Sequence, residues 1–181
     1  MKQGMKNILL KSFAVSAFLF LTLICQTGKS QDIDYKAYSL FVYNFMKYTE
    51  WSGDAGKGDF VIGVLGDSPI TKELNTLAST KKLKGRNIVI KKFTTAEECS
   101  GCHLLYIASG KSSLLKSVKE SLKSKQVLIV GEREGLADKG AGISFVRMDD
   151  DTLKFDINKK QIEDQGLKVA SQLIQLGILV E

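Results

Sequence analysis

The run Phe60-Val61-Ile62-Gly63-Val64-Leu65-Gly66, followed at once by Asp67-Ser68-Pro69, constrains the fold more than any other stretch of the chain. It is apolar throughout and partly β-branched, with no alternation of polar residues, which suits a strand buried on both faces. Gly66 and the Asp/Ser/Pro cluster then close it and open a helix. Such a strand belongs in a parallel sheet, as its first, central member. Three more strand-like runs follow, from Ile88 to Phe93, Leu104 to Ala108 and Val127 to Val130, with helix-compatible sequence between them. The alternation predicts a single α/β domain, with a mostly parallel central sheet flanked by helices.

Ahead of that strand the sequence has helical periodicity from Ile33 to Glu50. Tyr35, Tyr38, Phe41, Val42, Phe45, Met46 and Tyr48 share one stripe, and Lys36, Asn44 and Lys47 lie opposite. Leu40 and Tyr43 break the pattern, because they are apolar side chains on the polar side. Either a neighbouring element covers them or they are contacts for a partner. Trp51 stands where this helix meets the next loop and is expected to anchor the end of the core.

Beyond the central strand the periodicity predicts a helix from Pro69 to Ala78, a solvated basic turn from Lys81 to Arg86, and a helix from Ser112 to Leu122. Ile143 to Met148 and Thr152 to Ile157 flank three aspartates and read as an antiparallel hairpin at the sheet edge. A last helix is expected from Gln165 to Ile178, with Leu167, Ala170, Leu173, Ile174 and Gly177 inward.

Lys2 and Lys6 precede an apolar stretch from Phe13 to Cys25, and Gly28-Lys29-Ser30 supplies small residues at a cleavage site. Residues 1–30 therefore read as a signal peptide cut before Gln31, leaving residues 31–181 as one exported domain with no stable membrane insertion. The full chain has a formal net charge of +6 from 26 basic and 20 acidic residues; four of the lysines lie in residues 1–30, so the mature part keeps only +2. A nearly balanced domain offers no electrostatic case for nucleic-acid binding.

Cys99 and Cys102 are the thiols left in the mature chain, separated by two residues in an oxidising compartment, and form a candidate disulfide. Cys99-Ser100-Gly101-Cys102-His103 also fits the pattern for covalent haem attachment, which leaves a small periplasmic electron-transfer protein as the alternative function. Against it, His103 opens a strand-like run and is the chain's one histidine. No catalytic or metal site is expected. Gly110-Lys111-Ser112 lacks the upstream glycine of a phosphate loop, and neither a dinucleotide fingerprint, a zinc-binding histidine pair nor a nucleophile elbow is present.

The aromatic helix ending Lys47-Tyr48-Thr49-Glu50-Trp51, the strand Phe60 to Gly66, Gly85-Arg86-Asn87-Ile88-Val89, Cys102-His103-Leu104-Leu105-Tyr106-Ile107, Val127-Leu128-Ile129-Val130-Gly131, Gly142-Ile143-Ser144-Phe145, Phe155-Asp156-Ile157-Asn158, and Gly166-Leu167 with Ser171 occur in this order. In that order and spacing the chain resembles the YfiR family of periplasmic regulators, over nearly all of its mature length. The resemblance implies a regulator that is not an enzyme and needs no cofactor. Its implied partner is the periplasmic domain of an inner-membrane signalling protein, a diguanylate cyclase or a sensor histidine kinase, which it represses. Self-association into a homodimer stays open. The chain departs from the family pattern in having too few cysteines for two bridges and in having Ser52 where a proline commonly follows the tryptophan.

Overall fold

A computed structural model describes residues 33–53 and 57–181. The expected signal peptide, residues 1–30, lies outside the described residues. Within Asp34–Glu181 the chain forms one unit built on a seven-stranded sheet.

The first helix, α1 (Tyr35–Tyr48), starts at Asp34, whose carboxylate accepts from the backbone N–H groups of Lys36 and Ala37 at 3.0 and 3.1 Å. That cap satisfies two donors that have no partner within the helix. The expected stripe is inward: Tyr38, Val42, Phe45 and Met46 are buried, and Phe41 packs edge-on to Phe145 and Phe155. The helix stops earlier than its periodicity suggests. Thr49–Glu50 is instead a short strand, β1.

The run from Phe60 is β2 (Phe60–Leu65), paired in parallel with β3 (Ile88–Phe93) on one side and β4 (Leu104–Ile107) on the other. The remaining strands of the sheet are β5 (Leu128–Gly131), β6 (Ile143–Arg147), β7 (Leu153–Ile157) and β9 (Ile178–Leu179), in the order β3-β2-β4-β5-β6-β7-β9. β2 is thus interior, one strand from the edge. Pairing is parallel from β3 through β6, antiparallel between β6 and β7, and parallel again between β7 and β9. The expected hairpin is present, with the two-residue β9 added along its outer side.

Two apolar layers cover the two faces. On one, α1, α2 (Ile70–Thr80), α4 (Lys159–Asp164) and α5 (Ser171–Leu176) enclose Phe60, Ile62, Tyr106, Phe145 and Phe155. On the other, α3 (Leu115–Ser121) and the turns around Cys99 and Leu136 cover Leu65, Leu105, Ile107 and Ile129. Ser112 to Leu114, the first residues of the helix expected from Ser112 to Leu122, instead belong to a 3₁₀ segment, Ser109–Leu114, that leads into α3.

The C-terminal segment corrects the sequence reading. The expected helix from Gln165 to Ile178 is not formed as one element: after α4 has ended at Asp164, the span holds a strand β8 (Lys168–Val169), then α5, and it ends on the first residue of β9. Gly166, at φ +75°, turns the chain out of α4, and β8 then pairs antiparallel with β1. Gly177 ends α5, packed so closely that a Cβ there would lie 2.5 Å from the Phe155 ring. Leu167, in the turn between α4 and β8, and Leu173, on α5, are buried all the same.

Candidate functional site

α1 is the element on which the outward-facing candidates stand. Its 14 residues extend about 21 Å. The structure separates the two residues that break its polar face. Leu40 is 47% exposed. Tyr43 is half-buried: its hydroxyl donates to the Lys82 carbonyl at 3.0 Å, and the Lys81 ammonium lies 5.4 Å from its ring centroid. The loop after α2 therefore covers Tyr43 in part and leaves Leu40 in solvent. That loop is a tight turn in which Leu83 and Arg86 exchange backbone hydrogen bonds across Lys84 and Gly85, both at positive φ.

Both ends of α1 are fastened to the sheet. At the N-terminal end the Tyr35 hydroxyl donates to Glu132 Oε1 at 2.7 Å. Glu132 follows β5 and is only 7% exposed. Its second oxygen accepts from the Ser109 backbone N–H at 2.7 Å, and the Ser68 hydroxyl lies 3.4 Å from the first. Three crossover loops, after β2, β4 and β5, thus converge on one carboxylate at the carboxyl ends of the parallel strands, the side on which open α/β sheets place their sites. Burial and the bond to Glu132 push the Tyr35 hydroxyl up to about 12. Beneath them the Tyr106 hydroxyl is fully buried with no hydrogen-bond partner among the described residues, and burial raises its pKa strongly.

At the other end, Trp51 reaches the amino ends of β4 and β5. Its indole N–H is 2.9 Å from the Gln126 carbonyl and 3.2 Å from that of His103, and its ring meets Phe60 edge-on at 4.9 Å.

His103 is held inside this end of the domain. Its Nδ1 accepts from the Val61 backbone N–H at 3.0 Å, its Nε2 lies 2.9 Å from Arg86 Nη2, and its ring stacks on Phe60. Both ring nitrogens are engaged, so His103 presents neither to an axial position on a haem. Arg86 also donates to the carbonyls of Lys57, Gly58 and Asp59. The basic turn is solvated at its lysines, but its arginine closes the loop that enters β2.

Cys99 and Cys102 are free, buried thiols in the structure. Cys99 donates to the Thr95 carbonyl at 3.3 Å and Cys102 to the Cys99 carbonyl at 3.2 Å. Burial, reinforced by Glu98 and Glu97, pushes Cys99 up to about 11. Deeper burial pushes Cys102 up to about 12. Neither is activated as a nucleophile.

Among the described residues there is no group of three or more His, Cys, Asp or Glu side chains able to hold a metal ion, and no helix long and apolar enough to cross a membrane. What the sequence reading missed is Glu132. It lies in the charged stretch Glu132-Arg133-Glu134, which by itself looks like a solvated turn.

A comparison with curated proteins gives no match. A family model does match, over residues 35–178, and its span runs from the Tyr35 latch to β9 and takes in every element described above except the last residue of that strand. With most of its length covered by that model, the chain belongs to the YfiR/HmsC-like family of periplasmic regulators of signalling.

Proposed function

We propose that the protein represses a membrane-anchored signalling enzyme, a diguanylate cyclase or a sensor histidine kinase, by binding that enzyme's periplasmic domain through the outward face of α1. The chain acts by binding and not by catalysis. The observation that carries this is the exposure of Leu40 on a helix latched at both ends, by Tyr35 to Glu132 and by Trp51 to Gln126. A helix held in this way meets a partner without losing further backbone freedom, which lowers the entropic cost of association. Burying Leu40 alone contributes on the order of 2 kcal/mol, and the exposed part of Tyr43 adds to it. Family membership supplies the kind of partner.

The test is co-purification of the membrane protein from cells. Wild-type protein is expected to retain it and Leu40→Glu to lose it, with the variant's thermal melting unchanged. Retention by Leu40→Glu would remove α1 as the contact face. Tyr43→Glu is a poorer probe, because it also breaks the bond to Lys82.

A further inference from the structure

On the face of the sheet opposite α1, a crevice of about 590 Å³ lies between α3 and the loop that follows β5. Its volume is in the range of small-molecule sites. Leu115 and Leu136 line it and are themselves buried; Leu136 sits directly over Gly131, where a Cβ would lie 2.5 Å from its side chain. Around them stand Lys116, Lys119, Arg133 and Lys139. None of these four makes an ion pair among the described residues. Two carboxylates, Glu120 and Glu134, also line the crevice, so the cations outnumber them by two.

One of the cations is set in place by the backbone. Gly140 has φ +102°, and the space a side chain would take there is filled by the end of Lys119. Lys119 is accordingly half-buried along the wall, where the other three cations are exposed. A concave apolar lining beneath cations that lack intramolecular partners matches a molecule with an apolar body and a negative head.

We propose that this crevice binds a small amphipathic anion. It rests on different residues from the α1 face and on the opposite face of the sheet, so an occupant and a membrane partner are accommodated together.

The probe is anilinonaphthalene sulfonate, with phenylnaphthylamine as its uncharged counterpart and inorganic phosphate as the bare anion. Saturable fluorescence enhancement at one site is expected with the sulfonate on the wild-type protein. Lys119→Gln with Arg133→Gln is expected to weaken it about ten-fold or more, because two charge-assisted contacts are lost. Both substitutions leave the apolar lining in place, and an unchanged melting curve checks that the fold is kept. The uncharged counterpart is expected to bind at least ten-fold more weakly than the sulfonate, and phosphate to compete only at far higher concentration. Equal sulfonate binding by the double variant, or no saturable site, overturns the proposal. Equal binding of the uncharged probe removes the anionic head from it, and phosphate competing as well as the sulfonate removes the apolar body; either result overturns the class of ligand named here.

Discussion

The Tyr35 hydroxyl and the Glu132 carboxylate, 97 residues apart in the chain, meet at 2.7 Å and join the first turn of α1 to the carboxyl end of β5. Glu132 also accepts the Ser109 N–H, so its removal leaves a backbone donor without its partner. Glu132→Ala is expected to cost about 3 kcal/mol and Tyr35→Phe about 1.5 kcal/mol, since the bonds are made to a charged group. In a double-mutant cycle by urea denaturation the two are expected to couple by about 1 kcal/mol. Additive effects would show that the latch contributes nothing of its own.

Trp51 joins the opposite end of α1 to the carbonyls of Gln126 and His103. Trp51→Phe keeps a ring against Phe60 and loses the donor, at a cost of about 1 kcal/mol. Trp51→Ala loses the ring as well, at about 3 kcal/mol or more. Tryptophan emission from the folded wild type is expected to be blue-shifted from that of the unfolded chain. Identical emission maxima would place the indole in water and contradict its role as an anchor.

The two buried thiols give the reduced protein a defined alkaline limit. Their pKa values are raised from 9.0 to about 11 and about 12, so the unfolded chain releases these protons at lower pH than the native state. Stability from this source is complete below pH 9.0 and is lost as pH rises through about 11 to 12. Chemical denaturation across that window is expected to show the fall, and Cys99→Ala with Cys102→Ala to reduce it. An unchanged pH profile in the double variant would mean that the thiols are exposed in the native state.

Oxidation and export are read by one intact-mass measurement. We propose that the exported chain begins at or near Gln31 and that Cys99 and Cys102 become joined in the periplasm. The expected mass is that of residues 31–181 less two hydrogens, with no haem. The ring so closed is small, and by the loop-entropy relation it adds about 2 kcal/mol or less. A mass that retains residues 1–30 refutes the cleavage, and two alkylatable thiols refute the bridge.

The parts of the fold legible in the sequence are those written as long, periodic signals. Phe60 to Gly66 has no polar alternation and is a strand with parallel neighbours on both sides. The α1 stripe buries as its spacing requires. The C-terminal segment was misread because a 3.6-residue pattern persists across Gly166 and Gly177, and two-residue strands such as β8 and β9 are too short to show a period of two. The place of Trp51 at the end of an aromatic helix was legible, but not the carbonyls it reaches. Glu132 carried no signal at all. A carboxylate after a strand becomes a buried acceptor only when topology brings Tyr35, Ser68 and Ser109 around it, and no local spacing encodes that meeting.

Restraint of a membrane signalling enzyme through the exposed Leu40 face is tested most directly by that enzyme's output in cells, cyclic dinucleotide level for a cyclase or autophosphorylation for a kinase. Cells lacking the gene are expected to show raised output, restored to the basal level by the wild-type gene and not by Leu40→Glu expressed to the same level. Output that is unchanged by deletion in every membrane cyclase and kinase would contradict repression, and full restoration by Leu40→Glu would contradict the face.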